Sequence, residues 1–177
     1  YDRNMSGLFF SELGIPSPDA NLGAGGGSHA EQTAEIMRRF EGVLLSGKPD
    51  LVLVVGDVNS TAACALAAKK IPGVLLGHVE AGLRSFDRTM PEEINRIVAD
   101  ALSDVLFTSE RSGDRNLLAE GVPGERIIFV GNVMIDTLRA HEALAARSGI
   151  LDELKLQPRG FGVVTLHRPS NVDDPRV

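Results

Sequence analysis

Short apolar runs alternate along this chain with longer stretches whose apolar positions recur at helical spacing. "SHAEQTAEIMRRFEGVLL" sets Thr33, Met37, Phe40 and Leu44 on one helical stripe. It opens with Ser28 and Glu31 at the separation of a capping box. "DLVLVV" (50–55), "GVLLGHVE" (73–80), "VLFT" (105–108) and "RIIFVG" (126–131) predict buried strands. Between and after them, "NSTAACALAAKK" (59–70), "PEEINRIVADALS" (91–103), "ERSGDRNLLAEG" (ending near Gly121) and "VMIDTLRAHEALAARSG" (133–149) predict helices. Asn59 or Ser60 is the expected cap of the first, and Pro91 takes the first helical position of the second. Gly113 weakens the third. "LQPRG" reads as a linker and "FGVVTLH" (161–167) as the start of another strand.

Strands that are apolar throughout, alternating with helices, predict a parallel sheet covered on both faces, a doubly wound Rossmann-like α/β fold. In such sheets ligands gather at the carboxyl ends of strands. The polar clusters "GDVNST", "GHVEAGLR", "GNVMID" and "LHRPSN" all fall at such ends.

Composition narrows the classes. The 177 residues are 43% hydrophobic with mean hydropathy +0.02, as in a globular chain with a real core. A net charge of −6 and a pI near 5.2 argue against a general binder of nucleic acid or anionic membrane. One cysteine, Cys64 in "TAACALAA", rules out an internal disulfide framework and suits a reducing, cytoplasmic setting, with Cys64 as a small core residue. No apolar run approaches the ~20 residues of a membrane span. "NMS" and "NST" match the glycosylation sequon, which a cytosolic chain would not present for modification. The chain starts at Tyr1, with no leader pattern, and is expected to be a piece of something longer.

The chemistry-bearing stretches have structural explanations as well as functional ones. "GAGGGS" follows no strand and lacks the final glycine of a dinucleotide fingerprint, so it reads as a loop leading into a capped helix. No Walker motif, zinc-ligand spacing or nucleophile elbow is present, and neither metal nor cofactor is expected. Asp57 in "VVGDVNST" stands just past a strand, as a helix cap or as a site carboxylate. In "PEEINRIVADAL" the acidic pair complements a helix dipole, and Glu92 with Arg96 is an i,i+4 pair. A helical wheel assigns Ile94, Ile97, Val98 and Ala101 to the core and turns Glu92, Asn95 and Arg96 away from it. Glu80 in "HVEAGLR" follows a buried strand, where shielding from water would let a carboxyl exchange a proton. His78 is expected as a hydrogen-bonded, half-buried side chain or as a substrate contact. Arg84 and Arg88 pair with Glu80 and Asp87, or clamp a phosphate. His167 and Arg168 stand at a strand end before a turn with Ser170 as cap, or bind an anion there.

Taken in order, "GDVNST", "HVEAGLRSFDRTMPEEINR", "VGNVMID" and "TLHRPSNVD" resemble the non-hydrolysing UDP-N-acetylglucosamine 2-epimerase family, over essentially the whole chain from "YDRNMSGLFFSELGI" onward. The resemblance implies a fold like that of GT-B glycosyltransferases, two Rossmann-like domains with the site in the cleft between them. By that comparison residues 1–150 are an N-terminal domain lacking its first strand, and 151–177 are a linker and the start of a C-terminal UDP-binding domain. It also implies inversion at C2 of a UDP-sugar through elimination of UDP, a 2-acetamidoglucal intermediate and re-addition. Asp57, Glu80, Glu92 and His167 match the family's active-site residues, the carboxylates for the proton steps and His167 for the diphosphate oxygen. His78, Arg84, Asn95, Arg168 and Asn171 are expected to hold substrate or orient the carboxylates. A cytoplasmic homodimer that supplies sugars for bacterial or archaeal cell-surface polysaccharides is implied, with a UDP-sugar as partner and no nucleic acid or membrane.

The loop "SFDRTM" is shorter than in the best-known bacterial members and resembles that of relatives acting on modified UDP-sugars. A 2-epimerase of such a sugar, a hydrolysing relative that releases the free sugar, a GT-B glycosyltransferase and an inactive partial chain are the alternatives. A glycosyltransferase has no need of carboxylates on two faces of a sugar.

Overall fold

The computed structural model describes residue 10 and residues 13–166. The chain divides into two compact units after Asp136. In the first, helix α1 (His29–Gly47) leads to strand β1 (Leu51–Val55), α2 (Asn59–Ala68), β2 (Leu75–Val79), α3 (Pro91–Leu102), β3 (Val105–Thr108), α4 (Arg111–Ala119), a 3-10 turn (Gly124–Arg126) and β4 (Ile127–Phe129). Helices α5 (Val133–Ala145) and α6 (Ile150–Glu153) follow, without a buried residue between them.

The expected α/β alternation is present. All four strands pair in parallel in the order β1-β2-β3-β4. Register sets Val54, His78, Leu106 and Ile127 in one row across the sheet. On that face lies the core: Leu44 of α1, Val52 and Val54, Ala65 and Ala68 of α2, Leu76 and Ala99 of α3. A second cluster joins Ala81, Leu106 and Leu117. Each fully buried leucine contributes about 1.5–3 kcal/mol. Helix α2 is built largely of alanine, which lets α1 and α3 approach it closely on either side.

Four details add to this. Among the described residues the helices lie on one face of the sheet. On the other, Leu51, Leu53, Val55, Leu75 and Ile128 are exposed, Val55 by 56%. The reason is topological. Each strand crosses to its next neighbour in the same direction, and right-handed crossovers then place every helix on the same side. Second, α2 has Val58 as its cap residue, with no side-chain cap from Asn59 or Ser60. Thr61 Oγ1 donates instead to Val55 O at 2.7 Å, tying the helix start to the strand end. Third, α5 stops at Ala145, before the poor helix formers Ser148 and Gly149. Fourth, residues 161–166 form no strand and have no ladder partner among the described residues.

Two local expectations hold. Ser28 and Glu31 form the reciprocal capping box of α1, and Pro91 occupies the first turn of α3. Gly113 does not break α4, because its missing side chain is needed. A Cβ there would lie 2.9 Å from Ala81 O.

Candidate functional site

Two strand ends carry the first pair of carboxylates. After β1 the chain turns at Gly56 (φ +68°) into Asp57, and after β2 it turns at Glu80 (φ +71°). Gly56 N–H donates to Val79 O at 3.1 Å, locking the two turns together. Glu80 Oε2 lies 3.5 Å from where a Cβ on residue 56 would stand, an ordinary contact, so it is the positive φ that favours glycine there. A left-handed glutamate is strained, by roughly 1–3 kcal/mol, and strain of this kind collects at functional positions. Half-buried Glu80 accepts no hydrogen bond among the described residues.

Helix α3 contradicts its wheel. The buried positions are Glu93, Ala99 and Asp100, whereas Ile94 and Ala101 are exposed and Ile97 and Val98 half-buried. The polar side faces inward because it meets polar turns rather than the apolar core. Glu93, 1% exposed, accepts from Ser85 N–H (2.9 Å), Ser85 Oγ (3.0 Å), Phe86 N–H (3.1 Å) and Arg96 Nη1 (2.5 Å). Burial pushes its pKa up, but these donors outweigh burial and hold the carboxyl below its ordinary value. The expected Glu92–Arg96 pair is therefore replaced. Arg96 bridges Glu93 and the Asp57 carboxylate, spanning from α3 to the exit of β1.

Glu92 points elsewhere and has no hydrogen-bond partner among the described residues. It lines a cavity of about 540 Å³ with Gly25, Gly26, His29, Asn59 and Asn95. Asn95 Nδ2 donates to Asp57 O at 3.0 Å, next to Asn59 Oδ1 at 3.2 Å. Asn59 Nδ2 donates to Gln32 Oε1 at 3.0 Å, and His29 Nδ1 stands 3.2 Å from Asn59 Oδ1. Asp57 and Glu80 thus stand at two adjacent strand ends, and Asn95, which lines the cavity with Glu92, bonds the Asp57 backbone. The carboxylates of Asp57 and Glu80 do not line the cavity itself.

Beneath Glu80 lies a buried charged network. His78 is 0% exposed, with Nδ1 2.6 Å from Asp100 Oδ1 and Nε2 2.8 Å from Gly56 O. The structure places a buried, hydrogen-bonded His there. Asp100 Oδ2 accepts from Gly82 N–H (3.0 Å) and from Arg84 Nη1 (2.7 Å). Arg84 also makes a two-toothed pair with Glu120, at 2.8 and 2.7 Å. Burial pulls the Arg84 pKa down, yet Glu120 and Asp100 more than offset it and raise it overall. Arg84, its side chain 2% exposed, is engaged by Asp100 and Glu120 rather than by Glu80. His167, Arg168 and Asn171 lie outside the described residues.

Sequence reasoning missed Asp100, Glu93 and His29. An aspartate inside "IVADAL" was the available signal, a charge among apolar residues that must find partners once buried. Among the described residues no group of His, Cys, Asp and Glu converges to hold a metal ion, and no helix is long and apolar enough to cross a membrane.

The family model described as UDP-N-acetylglucosamine 2-epimerase matches residues 1–177. A UDP-N-acetylglucosamine 2-epimerase homolog of Methanococcus maripaludis is 49% identical over 175 residues, covering 98% of this chain and 48% of the relative. The UDP-2,3-diacetamido-2,3-dideoxy-D-glucuronate 2-epimerase of Pseudomonas aeruginosa is 46% identical, over 99% of this chain and 49% of its own length. The chain spans about half the length of the curated relatives it matches. The crystal structure of the Methanocaldococcus jannaschii UDP-GlcNAc 2-epimerase in complex with UDP-GlcNAc and UDP superposes with TM-score 0.82 at 44% identity, over 87% of this chain and 42% of that one.

Proposed function

This chain belongs to the UDP-N-acetylglucosamine 2-epimerase family, and on that footing we propose that it supplies the sugar-facing wall of an enzyme that interconverts UDP-N-acetylglucosamine and UDP-N-acetylmannosamine. The activity is proposed for the protein at its relatives' length. The observation that carries the reading is the pair of carboxylates Glu80 and Glu92, on two different elements and unpartnered among the described residues, beside a third, Asp57, held in place by Arg96.

C2 of the sugar has no neighbouring carbonyl to acidify its hydrogen, so inversion there calls for a detour. The C2–H bond breaks, its electrons form the C1=C2 double bond, and UDP departs with the electrons of the C1–O bond. The proton passes to a carboxylate on one face of the ring. On return a diphosphate oxygen adds to C1, and C2 takes a proton from a carboxylate on the other face. Such a sequence requires carboxylates on separate elements, each free to lose and gain a proton. Asp57, Glu80 and Glu92 take these steps, His167 acts on the diphosphate oxygen, and Arg168 and Asn171 bind substrate. Asn95 holds Asp57 through its backbone carbonyl. The setting is cytoplasmic, the assembly a homodimer, and the product a precursor for cell-surface polysaccharide.

A modified UDP-N-acetylhexosamine is the second reading. It is favoured by the short "SFDRTM" loop and by the likeness to the Pseudomonas aeruginosa diacetamido-glucuronate 2-epimerase. The test incubates the full-length protein with UDP-N-acetylglucosamine in D₂O and follows it by NMR. Deuterium at C2 with UDP still attached supports the first reading, free sugar indicates a hydrolysing enzyme, and no exchange shifts attention to the modified sugars.

A further inference from the structure

We infer that Asp100 is the positioning residue for Glu80: one buried carboxylate ties down the chain on both sides of it. This rests on the reading above, in which Glu80 exchanges the C2 proton. Residue 78, two before Glu80, is held by its ring through Asp100 Oδ1 at 2.6 Å. Residue 82, two after, is held by its backbone N–H through Asp100 Oδ2 at 3.0 Å. Between these anchors Glu80 has φ +71° and no side-chain partner among the described residues. Left to itself a glutamate relaxes out of that conformation, which disfavours every residue with a Cβ. The bracket withholds that relaxation and aims the carboxylate past Gly56.

Neighbours complete the bracket. Ala81 N–H donates to Phe107 O at 3.1 Å and Asn116 Nδ2 to Gly82 O at 2.8 Å, so the turn is also held from β3 and α4. The other ring nitrogen of His78 reaches Gly56 O at 2.8 Å, which carries the restraint to the turn before Asp57. Arg84 completes the shell of Asp100 Oδ2 at 2.7 Å. Asp100 itself is 2% exposed, so it acts through Glu80 rather than on the sugar.

Chemistry distinguishes two substitutions. In Asp100→Ala both anchors go at once. In Asp100→Asn the amide oxygen still accepts from Gly82 and Arg84, while the amide N–H donates to His78 Nδ1, whose ring keeps its proton on Nε2 for Gly56 O. The bracket survives with a reversed proton.

The test measures kcat and KM for the full-length enzyme carrying Asp100→Ala, Asp100→Asn or, as a control for destabilisation alone, Leu44→Ala in the core under α1. Misplacing a reacting group by about 1 Å costs on the order of 10²-fold, so Asp100→Ala lowers kcat by roughly that factor, KM changing little. Asp100→Asn recovers most of the rate, and Leu44→Ala loses stability without losing kcat. An Asp100→Ala enzyme that folds and turns over within about twofold of wild type overturns the inference. Should that variant fail to fold, NMR of the full-length protein decides: wild type shows a downfield proton between His78 and Asp100 and a slowly exchanging Gly82 amide. Asp100→Asn loses the first and keeps the second. A rapidly exchanging Gly82 amide in wild type overturns the inference equally. A wild-type enzyme that epimerises no UDP-N-acetylhexosamine defeats the functional reading instead, while the NMR result on the bracket stands by itself.

Discussion

Glu92 and Glu93 adjoin in sequence and point opposite ways from the first turn of α3. Glu93 is sunk against Ser85, Phe86 and Arg96, whereas Glu92 opens onto the cavity beside Asn95. The two glutamates of "PEE" therefore have separable effects. Glu92→Gln is expected to lower turnover by about 10²–10⁴-fold with little change in melting temperature. Glu93→Ala is expected to lower stability by roughly 3 kcal/mol, since it strands Arg96 and the 85–86 turn. Steady-state kinetics and urea titrations on both variants check the pair, and an inactive but fully stable Glu93 variant would reverse the assignment.

Arg96 is the sole side chain that spans from Glu93 to Asp57 among the described residues. A lysine there is a single point charge and cannot bridge both carboxylates. Arg96→Lys is expected to cost on the order of 10-fold in kcat through a loosened Asp57, a factor equal to about 1.4 kcal/mol of activation energy. Retention of full activity by this variant, measured as initial rates, counts against Asp57 needing a fixed orientation.

Acid stability follows from the depressed carboxyls. Burial pushes Asp104 up, but Lys69 and the Leu76 N–H outweigh it and leave its pKa lowered, as the Ser85 and Phe86 donors do for Glu93. A carboxyl whose folded pKa lies below its unfolded one adds stability that is complete above the unfolded value and disappears as pH falls through the folded one. Unfolding free energy is therefore expected to fall from about pH 4 downward. Glu93→Gln should flatten that dependence, as read from urea midpoints across the acid range.

Gly82 and Gly121 form a matched pair. Both have positive φ, +78° and +87°. A Cβ at 82 would lie 2.5 Å from Gly113 O, whereas nothing stands within 4 Å at 121. Gly121→Ala should cost about 1 kcal/mol from backbone strain alone. Gly82→Ala adds overpacking and should cost roughly 2–5 kcal/mol. Equal melting temperatures for the two variants would contradict the close packing of α4 on the Glu80 turn.

Burial pushes the Cys64 thiol up to about 11, against the core formed by α1 and α2. Thiolate is the reactive form. Native protein at neutral pH should react slowly with a thiol reagent and quickly once urea unfolds it, as absorbance of the released chromophore would show.

Much of the fold was legible because period and punctuation agree with it. The apolar runs became β1 to β4, and the Ser28–Glu31 cap and Pro91 start their helices as expected. Site turns were locatable from Asp57 and Glu80 following such runs. Helix α3 was misread for a physical reason: a helical wheel ranks faces by hydropathy, and this helix packs its charged side into polar turns. Glu93 and Asp100 become favourable inside only once Ser85, Phe86, Gly82 and His78 supply donors, and those partners stand up to 22 residues away.

The order β1-β2-β3-β4 has a kinetic consequence. Every strand pairs with the next one synthesised, so the unit can assemble by adding one βα hairpin-length step at a time, with small loops to close. The turn at Glu80 leaves the ribosome before α3 and α4, the elements that restrain it. Until Asp100 and Asn116 dock, residue 80 has no reason to hold a left-handed backbone. The Glu80 turn, at the carboxyl end of β2, is thus expected to mature late, and mutations at Asp100 should speed unfolding more than they slow folding.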